Sequence, residues 1–131
     1  MQIQAGSSVI VTGDYFLLAR ALGNLLKNAI EFSPADSVVS LNLKNQSGRA
    51  ELSVCDEGPG IPAYARDRVF ERFFSIARPD GRKGSGLGLS FVREIATLHG
   101  ALIELDSRTV DEPNTGVRWH GTCVKLNLAA Q

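Results

Sequence analysis

The run Lys83-Gly84-Ser85-Gly86-Leu87-Gly88-Leu89 divides the chain into two kinds of sequence. Residues 75–83 are polar and charged, whereas residues 89–98 repeat apolar side chains at helical spacing. Alternate glycines let a ligand approach the backbone closely, and the N-terminus of the following helix would favour an anion such as phosphate. The run has neither the ending of a Walker loop nor the preceding strand of a dinucleotide-binding loop. Alone, it is typical of either a phosphate-binding loop or a surface loop without a ligand.

The composition is that of an ordinary globular domain. The 131 residues are 44% hydrophobic and 21% charged, which argues against disorder and predicts a single domain over residues 1–131. The 14 basic and 14 acidic residues balance, so the net charge does not indicate binding to nucleic acid or a membrane. No apolar run reaches the roughly 20 residues of a membrane span. Cys55 and Cys123 have no metal-ligand partners at suitable spacing, and we expect two reduced thiols, as in a cytoplasmic domain.

An amphipathic helix is predicted from Tyr15 to about Phe32, with Asp14 as its N-cap and a Ser-Pro pair at residues 33–34 ending it. On a helical wheel, five apolar side chains form a stripe about 80° wide that we expect to face the core. They are Tyr15, Leu18, Leu22, Leu25 and Ala29.

A second, polar stripe lies at the edge of that apolar face. Asn24, Asn28 and Glu31 follow one another at i, i+4 and i+7, which places their side chains one above another. They form either a solvated helix face or a row of oxygen donors for Mg²⁺ and its phosphate ligands.

Two strands are predicted over residues 38–44 and 49–56, joined as a hairpin. In the second strand, Asp56 lies on the same side as alternating apolar residues, namely Ala50, Leu52 and Val54. A carboxylate on an apolar side is costly unless it is hydrogen-bonded. Asp56 therefore either caps the amides of the glycine- and proline-rich loop at residues 56–62 or accepts a hydrogen bond from a purine amino group.

The remaining elements are predicted more coarsely. A short helix over residues 63–70 leads into clustered Phe residues that we expect in the core, with Arg72 among them able to reach a phosphate. Residues 75–83 are either a cationic lid over a polyphosphate or a solvated loop. Strands over residues 7–11, 101–106 and 121–128 complete the order β-α-β-β-α-α-β-β, which predicts one sheet covered on one face by helices. His99 and His120 are in the wrong context for catalysis, and His99 is predicted to be structural.

Four segments in this order resemble the N, G1, F and G2 boxes of the GHKL ATPase superfamily, namely residues 24–28, 56–60, 70–73 and 84–88. More narrowly, they are similar to the catalytic, ATP-binding domain of bacterial two-component sensor histidine kinases, from about residue 9 to residue 128. The amino-acid sequence around the last two boxes is also similar to that of carbon-source-responsive sensor kinases. The resemblance implies a Bergerat-type α/β (α+β) two-layer sandwich, with a mixed sheet covered on one face by about three helices and ATP held under a lid at about residues 75–85.

The resemblance also implies ATP and Mg²⁺ as ligands. Asn28 matches the Mg²⁺ ligand, with Asn24 beside it, and Asp56 matches the residue that binds the adenine amino group. The implied adenine pocket adds Gly58, Gly60 and Ile61. The implied phosphate-binding residues are Gly84, Ser85, Gly86, Leu87, Gly88 and Leu89.

One departure from the family pattern concerns phosphate neutralisation. Glu31 stands beside the nucleotide where many of these kinases have Lys or Arg. The cationic role then falls to other residues: Arg72, Arg78, Arg82 and Lys83. With Asn24 and Asn28, Arg72 and Lys83 make up the expected catalytic set.

Asn24 also distinguishes reaction types. ATP-hydrolysing members of the superfamily, such as gyrase-like and MutL-like proteins, resemble one another in having Glu at this position. Glu can act as a general base towards water, whereas Asn cannot take up a proton. We therefore expect transfer of the γ-phosphoryl group to a histidine on a separate dimerisation domain that this chain lacks. Two alternatives remain open: a nucleotide-binding or docking module without transfer activity, and an anti-sigma-type serine kinase.

The family resemblance extends to partners and location. It implies a phosphoacceptor domain of the parent protein and a downstream response regulator, without nucleic-acid binding or membrane contact by this domain. We expect the isolated domain to be monomeric and cytoplasmic, within a homodimeric parent protein of the bacterial inner membrane.

Overall fold

The computed structural model describes residues 2–5, 10–72, 74, 88–109 and 120–129. Within them the elements follow the predicted order β-α-β-β-α-α-β-β. They are β1 (Gln2–Ala5), α1 (Tyr15–Phe32), β2 (Ser40–Gln46), β3 (Arg49–Asp56), α2 (Ala63–Arg66), α3 (Gly88–Leu98), β4 (Leu102–Arg108) and β5 (Gly121–Ala129).

Helix α1 has the limits that the sequence predicts. The Asp14 carboxylate accepts a hydrogen bond from the backbone N–H of Leu17 at 2.9 Å, which satisfies one of the free donors of the first turn. At the other end Ser33 is extended, with φ −83° and ψ 142°, as expected before a proline. Local side-chain chemistry thus determines both ends of this helix.

The five strands form one mixed sheet in the order β1-β2-β3-β5-β4. Strand β1 runs parallel to β2, and the other neighbouring pairs are antiparallel. The first strand lies at Gln2–Ala5, earlier than the predicted residues 7–11, of which residues 7–9 lie outside the described part of the chain. The mixed sheet that the family resemblance implies is confirmed.

Helices α1 and α3 cover one face of the sheet and close the core there. Their buried residues pack against the inward side chains of the central strands. The buried core includes Ala21, Leu25, Ala29, Val54, Val92, Ile95, Ala96, Val124, Leu126 and Leu128. The other face of the sheet is polar, with Lys44 opposite Glu51 and Glu104 opposite Lys125 in the strand register. The two-layer sandwich is therefore confirmed.

Two helical predictions need correction. Tyr15 is 88% exposed rather than part of the core, because it is the first residue of α1 and lies beyond the packed length of the helix. Helix α2 ends at Arg66 instead of residue 70, and the chain continues in tight turns such as the bond from the N–H of Arg68 to the carbonyl of Ala65.

The prediction of two reduced cysteines is wrong in this structure. Strands β3 and β5 align Cys55 directly opposite Cys123, with a Cα–Cα distance of 4.0 Å, and the two residues form a disulfide. Both side chains lie on the polar face of the sheet, opposite the side that carries Val54 and Asp56. The bond therefore joins the two central strands from outside the core.

The two long helices are tied at one end by His99. Its Nε2 accepts a hydrogen bond from the backbone N–H of Asp14 at 3.0 Å, so this nitrogen carries no proton and Nδ1 donates to the carbonyl of Ile95 at 2.8 Å. The structural role predicted for His99 is confirmed. Because the C-terminus of α3 meets the N-terminus of α1, the two packed helices run in opposite directions.

Among the helices of the described residues, none is both long and apolar enough to cross a membrane.

Candidate functional site

Asp56 ends β3 with its carboxylate on the buried side of the sheet, where it is 7% exposed. Its Oδ1 accepts a hydrogen bond from the backbone N–H of Gly58 at 2.9 Å, which confirms the predicted loop cap. Burial raises the pKa of the Asp56 carboxyl above its usual value of 3.8, and hydrogen bonds from the backbone N–H groups of Gly58 and Thr122 act in the opposite direction. A carboxylate has about four lone-pair sites. Asp56 therefore retains acceptor capacity for a ligand.

The turn after Asp56 is held tightly between two other elements. A Cβ atom on Gly58 would lie 2.4 Å from the carbonyl oxygen of Phe32, the last residue of α1. Gly60 has φ +81°, and a Cβ there would lie 2.2 Å from the carbonyl oxygen of Arg108 in β4. Backbone therefore approaches backbone on both sides, and only glycine fits at these two positions.

Ile61 is held by both of its backbone groups. Its N–H donates to the hydroxyl of Ser107 at 2.7 Å, and its carbonyl accepts a hydrogen bond from Nε of Arg66 at 2.9 Å. Ser107 is 5% exposed at the end of β4 and also donates to the carbonyl of Gly121 at 3.2 Å. The predicted adenine-pocket residues thus lie together in one ordered turn.

The predicted metal-binding stripe lies on α1, the helix whose C-terminus contacts this turn. Asn24, Asn28 and Glu31 are all half-buried, at the edge of the face that buries Leu25. Phe32, the last residue of α1, contacts Gly58, so the C-terminal end of this helix lies next to the Asp56 turn. The N-terminus of α3 points toward the same half of α1, since the two helices run in opposite directions.

The donor chemistry of this stripe suits Mg²⁺ that is shared with a nucleotide. Within the described residues, no group of three or more His, Cys, Asp or Glu side chains is placed to hold a metal ion. Asn24 and Asn28 offer amide oxygens, and Mg²⁺ typically takes few protein ligands while substrate phosphates and water complete its shell. The amide oxygens present therefore fit a Mg²⁺ ion that arrives with a nucleotide.

The phosphate-binding predictions are described only in part. Gly88 and Leu89 are the first two residues of α3, and Leu89 packs against the core. Arg72 is exposed in the turns that follow α2. The lid at residues 75–85 lies outside the described residues, as do Arg78, Arg82, Lys83, Gly84, Ser85, Gly86 and Leu87.

Sequence reasoning missed three residues around Asp56. Ser107 and Thr122 share a hydrogen bond of 2.8 Å between their hydroxyls, beneath the turn, and Nδ1 of His120 lies 2.8 Å from the carbonyl oxygen of Gly58. The sequence does indicate Ser107, because this residue continues the alternation of apolar residues in its strand, as Asp56 does in β3. No local pattern indicates His120, because its contact joins residues 62 positions apart in the sequence.

The chain is similar to known proteins of one ATPase family. The sequence profile of the histidine kinase-, DNA gyrase B- and HSP90-like ATPases matches residues 13–131. The chain is 45% identical over 106 residues to the sensor protein CreC of Escherichia coli (strain K12), which covers 81% of this chain and 22% of that protein. It is 41% identical over 118 residues to the sensor-like histidine kinase SenX3 of Mycobacterium bovis, covering 88% of this chain and 28% of that protein.

A solved structure shares the fold of this chain. The mycobacterial sensor histidine kinase MprB superposes with a TM-score of 0.82 at 35% sequence identity, covering 99% of this chain and 80% of that chain. The chain spans about a quarter of the length of each of these two curated relatives. The profile match covers most of the chain, and the chain therefore belongs to the family of histidine kinase-, DNA gyrase B- and HSP90-like ATPases.

Proposed function

We propose that this domain binds Mg-ATP with its adenine at Asp56 and transfers the γ-phosphoryl group to a histidine on a separate phosphoacceptor domain. The observation that carries the proposal is the buried Asp56 carboxylate in a turn that touches the end of α1, the helix that carries Asn24 and Asn28. This contact supports the proposal that Asp56 recognises the base and that the amides of α1 bind the metal within one site.

Adenine recognition follows from the chemistry of Asp56. The exocyclic amino group of adenine is a hydrogen-bond donor, and the carboxylate keeps acceptor capacity beyond its bonds to Gly58 and Thr122. A 6-oxo purine presents an acceptor at the same position and would repel the carboxylate. The Asp56 site is therefore proposed to select adenine over hypoxanthine and guanine.

Phosphate positioning is assigned to α1 and α3. Asn28, with Asn24 beside it, would hold the Mg²⁺ that accompanies the nucleotide, and the bound ion would neutralise charge on the phosphate oxygens. The N-terminus of α3, which begins at Gly88, would favour the same anionic groups. Arg72, Arg78, Arg82 and Lys83 are the proposed cationic groups around the phosphates.

Transfer is favoured over hydrolysis by the residue at position 24. Asn24 cannot accept a proton from water at neutral pH, so the domain has no general base at this position. An imidazole nitrogen of the acceptor histidine would instead bond to the γ-phosphorus as the bond to the bridging oxygen breaks, which leaves ADP. Positioning and charge neutralisation then supply most of the catalysis.

The proposed partners follow from the same reaction. Two of the similar proteins are named as sensor histidine kinases. We accordingly assign this chain a phosphoacceptor domain in its parent protein and a response regulator as the final acceptor. The proposed setting is the cytoplasmic side of an inner-membrane parent protein.

The test is a transfer assay with γ-labelled ATP, Mg²⁺ and the phosphoacceptor helices of the parent protein. We expect label on the acceptor that is stable to alkali and lost in acid, as for phosphohistidine. The control is an acceptor whose histidine is replaced by glutamine, which should remain unlabelled. Acid-stable label on serine would instead assign a serine kinase. Tight ATP binding with no label on the intact parent protein would assign a module without transfer activity.

A further inference from the structure

We infer that His120 is a positioning residue for adenine recognition, which it supports by holding the Gly58 peptide against Asp56. The inference rests on the proposed binding of adenine at Asp56. Nδ1 of His120 lies 2.8 Å from the carbonyl oxygen of Gly58. A carbonyl only accepts hydrogen bonds, so Nδ1 carries the proton and donates.

The hydrogen bond from His120 acts on the peptide of Gly58, two residues after Asp56. Gly58 is followed by Pro59, which has no N–H to donate. The N–H of Gly58 donates to Oδ1 of Asp56 at 2.9 Å, and the carbonyl of the same residue accepts from His120. Gly58 is thus fixed at both of its backbone groups, and one of these bonds ends on the carboxylate that would read adenine.

The two residues after His120 contact the same turn. Gly121 lies so close to it that a Cβ atom would be 2.1 Å from the carbonyl oxygen of Asp56. The backbone N–H of Thr122 donates to the Asp56 carboxylate. Residues 120–122 therefore all lie against residues 56–58, with hydrogen bonds from His120 and Thr122 and a close backbone approach at Gly121, and the bond from His120 is made by its side chain.

Loss of the His120 donor would free the Gly58 carbonyl and loosen the bond between Gly58 and Asp56. The carboxylate would then hold adenine less well, while contacts to sugar and phosphates elsewhere would be unaffected. A purely structural role of His120 would weaken the binding of every nucleotide alike. Discrimination between ATP and ITP, which differ by a 6-amino and a 6-oxo group, therefore separates the two roles.

The matched variants are His120→Asn, whose Nδ2 can donate from the position of Nδ1, and His120→Leu, which keeps similar bulk without a donor. Titration calorimetry with ATP and with ITP, both with Mg²⁺, gives the two Kd values for each protein. For His120→Leu we expect the ATP Kd to rise about threefold to tenfold, the worth of one hydrogen bond, and the ITP Kd to change less than twofold. His120→Asn should remain within about twofold of the wild type for both nucleotides.

Thermal unfolding of each protein verifies that it is folded at the temperature of the titration, and His120→Ala serves as the variant without a donor if His120→Leu does not fold. An unchanged ATP Kd in a folded variant without a donor, or equal weakening of ATP and ITP, would overturn the inference. Failure of His120→Asn to restore binding would overturn the donor role. A wild-type protein that binds ATP and ITP equally would contradict the proposed adenine site itself, before any variant is compared.

Discussion

The disulfide between Cys55 and Cys123 should contribute a large share of the stability of this domain. The bond joins residues 68 positions apart in β3 and β5, so it restricts a long loop of the unfolded chain. The loop-entropy relation gives about 4 kcal/mol at 25 °C for a loop of this length, and measured disulfides typically contribute about 2–4 kcal/mol. Native domains are stable by only about 5–15 kcal/mol, so the effect of reduction is readily measured.

The assay is urea unfolding of the protein after equilibration with oxidised glutathione, compared with the same protein in a dithiol reductant. For a slope near 2 kcal/mol per molar, reduction should lower the unfolding midpoint by about 1–2 M, and the slope itself should increase because the reduced chain unfolds further. The Cys55→Ser, Cys123→Ser double variant is the matched control. It should unfold like the reduced protein in either buffer, since both residues lie on the polar face of the sheet.

Nucleotide binding provides the second control. The disulfide lies on the polar face of the sheet. Asp56, the residue after Cys55 in β3, has its side chain on the opposite, buried face. Because successive side chains of a strand point to opposite faces, the ATP Kd should change less than about twofold on reduction, as long as the protein stays folded. In a reducing cytoplasm the pair would be held as thiols, and the domain would fold there without this stabilisation. Two titratable thiols after equilibration with oxidised glutathione would show that the disulfide does not form, and an unchanged midpoint on reduction would show that it does not stabilise the domain.

Three further predictions concern the candidate site. Replacing Asn28 with Ala should abolish the Mg²⁺-dependent part of ATP binding with little change in thermal unfolding, and an unchanged calorimetric affinity for Mg-ATP would exclude Asn28 as a metal ligand. Burial raises the pKa of Asp56 above 3.8, so the folded state binds its proton more tightly than the unfolded state does. The free energy of unfolding of the wild type, relative to that of Asp56→Asn, should consequently be greatest below about pH 3.8 and should fall as the pH rises through the raised pKa. Urea unfolding measures this difference at each pH, and a difference that stays flat or rises with pH would contradict the prediction. Gly60→Ala should cost about 3 kcal/mol, because of its positive φ and the close Arg108 carbonyl, against about 1 kcal/mol for Gly48→Ala, which has a positive φ in open space; equal losses in chemical denaturation would show that the contact with Arg108 is unimportant.

Features set by neighbouring residues could be predicted from the sequence. The ends of α1 follow from an N-cap at Asp14 and a proline after Ser33, and both are local signals. The burial of Asp56 follows from strand alternation, because its side is fixed by the parity of the residues before it. These two elements already bring together most of the described part of the candidate site.

Features that depend on distant register could not be predicted. The disulfide requires β3 and β5 to align Cys55 with Cys123, and a shift of one residue would prevent the bond. His120 reaches Gly58 only because β5 begins beside the end of β3. The prediction that Tyr15 lies in the core is wrong for a related reason. A helical wheel gives the direction of a side chain, but it does not show where the neighbouring element that would cover it ends.

In the proposed site, adenine binds at Asp56, with the phosphates and Mg²⁺ beside Asn28. The most direct measurement is a crystal structure of the domain with Mg²⁺ and a non-hydrolysable ATP analogue. We predict the adenine amino group within about 3 Å of an Asp56 carboxylate oxygen and the Asn28 amide oxygen in the Mg²⁺ shell at about 2.1 Å. A nucleotide whose base lies away from Asp56, or a bound metal without Asn28 as a ligand, would contradict the proposed site.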